Sequence, residues 1–430
     1  MRNRASGSWP LAFWALLLVA AALRFGYVVG YPQLPVSVNA AALADYALYD
    51  EVGRNLADGK GFVGGFAAAT YDAKAMADPR APEIGVGPIY PAFLGGIYRL
   101  AGHRVGVVRV VQAAVSLLLL VPLFAITRWT FGDRAALVAT ALASVYPAFI
   151  IYSGLLLTET LSATLLVAAL WAVLWAWRSA VAWRWALAGF IMGVVVLLRS
   201  EVLPVAVIAA AVSFWRRPAG PTVRMLALYA AVICATMAPW VVRNYYVFHR
   251  VIPVSAHDGD TLWITVKGWT EWHFDDAELQ ALVRGRSYLE QQDAFHAAAV
   301  REILNHPMHV AMTRLRRFPD FWLSGHTGYV AGFHERFADY RARGAAWPSF
   351  VKASLLTMNT ALIVAGLIGI ARAFTRPGPP LPGALLIAAP IVCIATVHLI
   401  LFAAPRYQVP MMPFMLVFAG SLWQGPARIE

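Results

Sequence analysis

The chain has 430 residues, of which 60% are hydrophobic and only 13% charged. A soluble domain is nearer a quarter charged, so the composition excludes an ordinary soluble enzyme and points to an integral membrane protein. The formal net charge is +12, but the basic residues are scattered between apolar runs, which suits membrane topology and anionic lipid and gives no nucleic-acid face. Cys234 and Cys393, the two cysteines, both lie in apolar runs, so neither a disulfide framework nor a zinc site organises the chain.

In chain order, the basic start MRNR leads into an apolar run from Trp9, interrupted near its end by Arg24. No small-residue cleavage site follows cleanly, so this run reads as an uncleaved first span. With about 20 apolar residues needed to cross a bilayer, ten spans are predicted: 9–29, 107–127, 134–152, 159–177, 184–199, 202–215, 225–245, 353–373, 382–402 and 408–424. The expected fold class is an all-α polytopic membrane protein, with 1–430 as a single transmembrane domain. Short connections bearing Arg128 and Arg134, Arg178 and Arg184, Arg216, Arg217 and Arg224, and Arg372 and Arg376 fall on the cytoplasmic side by the positive-inside rule. Both termini are then inside, and two long segments, 30–106 and 248–352, are outside.

The first outer segment opens with DYALYDEVGRNLADGKGF, residues 45–62. Asp45, Tyr49, Val52 and Leu56 follow a helical period, and Gly59 and Gly61 stop the helix. Asp45 is expected near the start of this amphipathic helix, a turn above Tyr49. A second interfacial helix is expected around Pro88, with the proline in its first turn. In the second segment, the REILNHPMHVAMTRLRRFPDFW run around Pro307 reads as a helix lying in the headgroup plane. WHFDD, residues 272–276, places His273, Asp275 and Asp276 together, but the spacing matches no strong metal pattern, and a solvated loop is expected. No Gly-rich phosphate loop or dinucleotide fingerprint is present.

Asp45, Glu159, Arg199, Glu201, Arg243 and Arg406 are far apart in sequence, yet the ten-span topology puts all six at outer span ends. Taken singly, each is cheap there because it can snorkel. Taken together, several arginines and a few carboxylates on one rim suit a phosphate-bearing lipid and a hydroxyl nucleophile.

Four motifs then give the chain a resemblance to the membrane-embedded GT-C glycosyltransferases, and within them to bacterial glycosyltransferase family 39 and the aminoarabinose (lipid A) transferases. They are DYALYDEVGRNLADGKGF, GPIYPAFLG, PWVVRNYYVFHRVIPVS and PRYQVPMMP, with TETL and LLRSEVLP as short outer turns. The resemblance implies a GT-C-like fold with amphipathic helices in the first outer loop. It also implies an enzyme at the outer, periplasmic face of a bacterial inner membrane. That enzyme would be an inverting transferase moving a sugar from a polyprenyl-phosphate carrier to a hydroxyl acceptor. Asp45 is then the catalytic acid position, with Tyr49, Glu159, Arg199, Arg243, Arg406 and Tyr407 as substrate-binding candidates. No metal ligands are assigned, because Tyr46 follows Asp45 where the family often has a second acid; a requirement for a divalent cation stays open. SAHDGDTLW also departs from the Asn- and Gly-rich stretch often found after the seventh span. A transporter or lipid flippase is the alternative. It calls for ionisable residues near mid-membrane and often internal repeats, but here the span centres are almost uncharged and no repeat shows. A membrane acyltransferase finds no matching motif.

Overall fold

The structure is a computed structural model and describes residues 9–31, 40–68, 71–72, 78–179, 181–214, 219–269, 273–330, 332–375 and 381–424. Arg216, Arg217 and Arg376, used above for topology, lie outside these residues. Among the described residues the chain is helical, with a single β-bridge between Val63 and Pro82.

Each of the ten apolar segments forms helix. Among the described residues six helices are long and apolar enough to cross a membrane: α1 (Leu11–Gly30), α4 (Val105–Phe131), α7 (Glu159–Trp177), α10 (Ala219–Phe248), α15 (Ala346–Thr375) and α16 (Leu381–Ile400). A seventh span is made by α5 (Asp133–Val145) and α6 (Pro147–Ser153) if this pair, bent by 50°, is counted as one. The remaining three, α8 (Ala182–Leu198), α9 (Leu203–Ser213) and α17 (Met412–Ser421), are shorter apolar helices. Four more helices make the first two interfacial elements and the second long segment's core: α2 (Ala40–Ala57), α3 (Ile89–Ala101), α11 (Gly259–Lys267) and α13 (Tyr288–Asn305). Two others in that segment are α12 (Ala277–Val283) and α14 (Pro307–Trp322).

The bend at α5–α6 has a local cause. Pro147 has no N–H, so the carbonyl of Ala143 loses its usual helical donor. Arg24, fully buried in α1, supplies the replacement. Its guanidinium donates to Ala143 O at 3.1 Å and Ser144 O at 2.9 Å, and its Nε to Ser116 Oγ at 2.8 Å. The charge that interrupts the first apolar run is thus consumed by backbone groups.

Close helix contact sets another junction. Gly189 and Gly193, one turn apart on α8, face α10: a Cβ on Gly189 would lie 2.6 Å from Tyr229 O, and one on Gly193 2.8 Å from Thr236 Cβ. Small residues at i and i+4 allow such backbone approach in a membrane. This fixes α8, whose C-terminal end carries Arg199.

Two expectations need correction. α2 begins at Ala40, so Asp45 sits in its second turn and not near its start. The run around Pro307 is two helices: α13 ends at Asn305, and Pro307 opens α14 at the position where a missing N–H costs nothing. The glycine stop after α2 is as expected, with Gly59 at φ +76° and Gly61 at φ +90°, a region that favours glycine. Pro88 is the residue immediately before α3.

The second long segment has its own small core, in which Trp263, Phe295, Leu279 and Val283 pack with Tyr71 from the first. Asp276 spends its carboxylate capping α12, accepting from Leu279 N at 2.9 Å.

Candidate active site

A cleft of about 990 Å³ opens where α2, the starts of α7 and α9, the end of α16 and the turn before α17 meet. Of the residues singled out from sequence, Asp45, Tyr49, Glu159, Arg199, Arg406 and Tyr407 all line it. Glu201, also on the inferred rim, lines it too. Arg243 does not.

The centre of the cleft is an ion pair. Arg406 Nη1 lies 2.5 Å from Asp45 Oδ2, and Arg406 Nη2 donates to Tyr407 Oη at 2.7 Å. Both side chains of the pair are about one-fifth exposed, at 17% for Arg406 and 20% for Asp45. Burial works against the Arg406 charge, but Asp45 beside it holds the guanidinium protonated well above its ordinary range. Arg406 sits in a short 3₁₀ turn, Pro405–Gln408, whose proline starts the turn and aims the next two side chains into the cleft.

A second guanidinium lies deeper. Arg199 donates to Glu201 Oε1 at 2.8 Å and to Thr158 Oγ1 at 3.3 Å, and lies 3.7 Å from Glu159 Oε1. Glu159 Oε2 is buried without a hydrogen-bond partner among the described residues. The Tyr407 ring carries both arginines, Arg199 at 5.2 Å and Arg406 at 4.8 Å from its centroid. His398 stacks on the same ring, 4.5 Å away and 5° from parallel, with Nε2 3.6 Å from Glu201. Tyr407 is therefore a contact shared by the two cations, and its role is cation–π as much as hydrogen bonding. Tyr49 stands a turn below Asp45, edge-on to Tyr90 at 5.0 Å.

The neighbouring acids of α2 are engaged elsewhere. Asp50 accepts from the Tyr98 hydroxyl and lies 2.9 Å from His103 Nε2, while Glu51 accepts from Gly65 N at 3.3 Å. They fasten α2 to α3 and to the glycine turn, leaving Asp45 as the acid of this helix that faces the cleft.

Arg243 is a clamp. It donates to Glu83 O at 2.9 Å and to Phe62 O at 3.1 Å, and lies over the rings of Trp240, Phe62 and Phe248. Trp240 Nε1 donates to Val254 O at 2.6 Å, and Asn244 to Ile252 O at 2.8 Å. The PW..RN motif therefore pins the loops that wall the cleft to the end of α10, and its arginine was expected in the cleft because sequence alone gives no direction to a side chain at a span end.

Sequence reasoning passed over two groups, one lining the cleft and one buried in the loop beside it. His257 lines the cleft with its Nδ1 3.0 Å from Asp260 Oδ2 and 3.1 Å from the Tyr288 hydroxyl. Burial would lower its pKa, but Asp260 raises it to about 9. Glu83, fully buried, accepts from Ala67 N at 2.8 Å and Val86 N at 3.1 Å, and burial pushes its carboxyl up to about 7. The signal available was the departure SAHDGDTLW, where His257 and Asp260 stand three residues apart at a helix start. Among the described residues no group of three or more His, Cys, Asp or Glu is arranged to hold a metal ion.

The architecture is that of a multi-pass membrane protein with a GT-C-like fold. Residues 85–242, rather more than a third of the chain, match the family model of dolichyl-phosphate-mannose-protein mannosyltransferase, and the resemblance to the GT-C glycosyltransferases read from the motifs stands. The stretch matched runs from the loop before α3 into α10, ending one residue before Arg243. The archaeal oligosaccharyltransferase AglB from Archaeoglobus fulgidus, in complex with an inhibitory peptide and a dolichol-phosphate, shares the fold with a TM-score of 0.55 at 14% identity, over 96% of this chain and 50% of that one. Its apo form gives 0.56 at 14% identity, over 97% and 51%. The chain thus spans about half the length of these oligosaccharyltransferase structures. ArnT from Cupriavidus metallidurans bound to undecaprenyl phosphate aligns over 97% of this chain and 77% of its own, at 15% identity and a TM-score of 0.41. No curated protein matches the chain.

Proposed function

We propose that this chain is an inverting glycosyltransferase that moves a sugar from a polyprenyl-phosphate carrier to a hydroxyl acceptor, in a cleft at the periplasmic face of a bacterial inner membrane. The observation that carries the reading is the Asp45–Arg406 pair in the cleft, a carboxylate and a guanidinium held 2.5 Å apart. The match to the mannosyltransferase family model and the dolichol-phosphate bound by the AglB neighbour support the donor class.

In this reading Asp45 takes the proton of the acceptor hydroxyl, which is a poor nucleophile near neutral pH. The acceptor oxygen attacks the anomeric carbon from the side opposite the phosphate. The bond from that carbon to the carrier phosphate breaks as the new one forms, so configuration inverts. Polyprenyl phosphate leaves with the electron pair, and arginine stabilises its charge. Arg406 uses one face of its guanidinium on Asp45 and Tyr407, and a planar guanidinium can present further N–H donors to a phosphate. An arriving phosphate competes with Asp45 for Arg406, which loosens the pair and readies the carboxylate as base. Arg199, over the same Tyr407 ring, is held by Glu159 and Glu201, where Glu159 Oε2 is an acceptor with no partner among the described residues, free for a sugar hydroxyl.

The test is binding of undecaprenyl phosphate to the purified full chain. Saturable binding that weakens at least about tenfold in Arg406→Gln, the worth of one charge-assisted hydrogen bond, is expected. No saturable binding, together with counterflow of a solute in proteoliposomes, would replace this reading with the transporter alternative.

A further inference from the structure

A second cavity, of about 530 Å³, lies at the end of the bundle remote from the cleft. Helix α7 connects the two: Glu159 at its start lines the cleft, while Trp171, Trp175 and Arg178 at its end line the second cavity. At about 1.5 Å per residue the two sites are some 25 Å apart along α7, close to the roughly 30 Å of a bilayer's hydrocarbon core. The cavity therefore sits at the opposite membrane interface.

Its walls are of two kinds. Trp9, Trp129, Trp171 and Trp175 supply indoles, and Arg128 and Arg178 supply guanidinium groups. Arg178 stacks over the Trp129 ring at 4.5 Å and has no carboxylate partner among the described residues. Arg128 is paired with Asp133 at 2.5 Å, and Asp133 also lines the cavity, so Arg178 is the charge left uncompensated. Trp171 is 38% exposed, which leaves an indole face open to the side. Tryptophan and arginine at an interface commonly form a diffuse belt; here they enclose a volume, with a cation fixed by stacking at its edge.

Charge decides what fills it. In sequence, more positive charge flanks the residues that line the cavity: Arg2 and Arg4 precede Trp9, and Arg134 follows Asp133. A cationic segment of this chain is repelled by Arg178, and an anionic occupant is attracted. At membrane depth, with indole walls, that occupant is a lipid.

We propose that this cavity is a binding site for an anionic phospholipid, with Arg178 as ligand of the headgroup phosphate and the indoles of Trp129, Trp171 and Trp175 seating the glycerol and the first part of the acyl chains. The guanidinium keeps its plane on the Trp129 ring while its edge donors face the phosphate, a combination that lysine could not reproduce. The site is independent of the transferase reading and of the cleft.

Native mass spectrometry of the delipidated full chain, with dioleoyl phosphatidylglycerol and dioleoyl phosphatidylcholine as probes, tests it. One phosphatidylglycerol should bind at least about tenfold more tightly than phosphatidylcholine, as expected for a charge-assisted phosphate contact. Arg178→Gln should bring the preference to within about twofold, and Trp129→Leu, which removes the ring beneath Arg178, should do the same if Arg178→Gln proves hard to express. Arg184→Gln is the control: Arg184 stacks on Trp175 at 4.2 Å but does not line the cavity, so the preference should persist. The proposal is overturned if the wild type shows no preference, if Arg184→Gln erases it as fully as Arg178→Gln, or if it emerges only when residues 2–8 are deleted.

Discussion

Replacing Arg406 by Gln removes the cation that holds Asp45, and the structure sets the size of the effect. A fully buried ion pair broken from one side costs about 3–5 kcal/mol, because the partner is left charged and unpaired. Here both groups are about one-fifth exposed, 17% and 20%, so water relieves part of that cost and about 2–3 kcal/mol is expected. Asp45→Asn alone leaves Arg406 with Tyr407 and with Glu159 nearby, so its loss should be smaller. In the double variant neither charge is stranded, and the two losses should fall short of their sum by about 2 kcal/mol, the range for directly contacting charges. The assay is a double-mutant cycle on thermal midpoints of the detergent-solubilised chain. Losses that add to within about 0.5 kcal/mol, the usual behaviour of independent sites, would refute the view that this pair organises the cleft.

Other perturbations read other parts of the account. Arg24→Ala strands the carbonyls of Ala143 and Ser144, which should cost about 2–6 kcal/mol at about 1–3 per unsatisfied group; adding Pro147→Ala restores an N–H for Ala143 and should recover part of the loss in the same melt. Gly189→Leu forces α8 from Tyr229 O and should lower the midpoint by the equivalent of about 1–3 kcal/mol, the range for overpacking. Stability should fall as pH rises through the neutral range. The Glu83 carboxyl, raised by burial from 4.5 to about 7, contributes fully below 4.5 and has lost its contribution above 7. His257, whose burial is outweighed by Asp260, is raised from 6.5 to about 9, so its contribution is full below 6.5 and gone above 9. Glu83→Gln should flatten the lower part of this decline and His257→Gln the upper, in melts recorded from pH 5 to pH 9.

Much of this was legible in the sequence because membrane proteins obey a coarse rule. Long apolar runs must be helices, so the positions of the ten helices followed from hydropathy. The ends of those helices were sites where charge is tolerated, so the grouping of Asp45, Glu159, Arg199, Arg406 and Tyr407 followed from topology plus motifs. Direction did not. Arg243 and Arg406 occupy similar positions at span ends, yet one clamps backbone carbonyls and the other faces the cleft. Arg24 looked like an interruption of an apolar run, and only the proline 123 positions later in sequence explains it. His257 and Asp260 lie in a stretch set aside as a departure from the family pattern; their pairing is local, three residues apart, but the hydrogen bond from Tyr71 to Asp260 depends on contact between the two long segments. The break at His306 was readable from Pro307 and was missed because the arginine–aromatic alternation ran across it.

The claim on which the account turns is that Asp45 is the base. The most direct measurement is single-turnover transfer of sugar from a polyprenyl-phosphate donor by wild-type, Asp45→Asn, Asp50→Asn and Glu51→Gln chains, with undecaprenyl phosphate binding measured alongside. Asp45→Asn should still bind the carrier and lose transfer by about 100-fold or more, the range for removing a general base, while Asp50→Asn stays milder. Near-normal transfer by Asp45→Asn, with Asp50→Asn or Glu51→Gln inactive, would contradict the assignment.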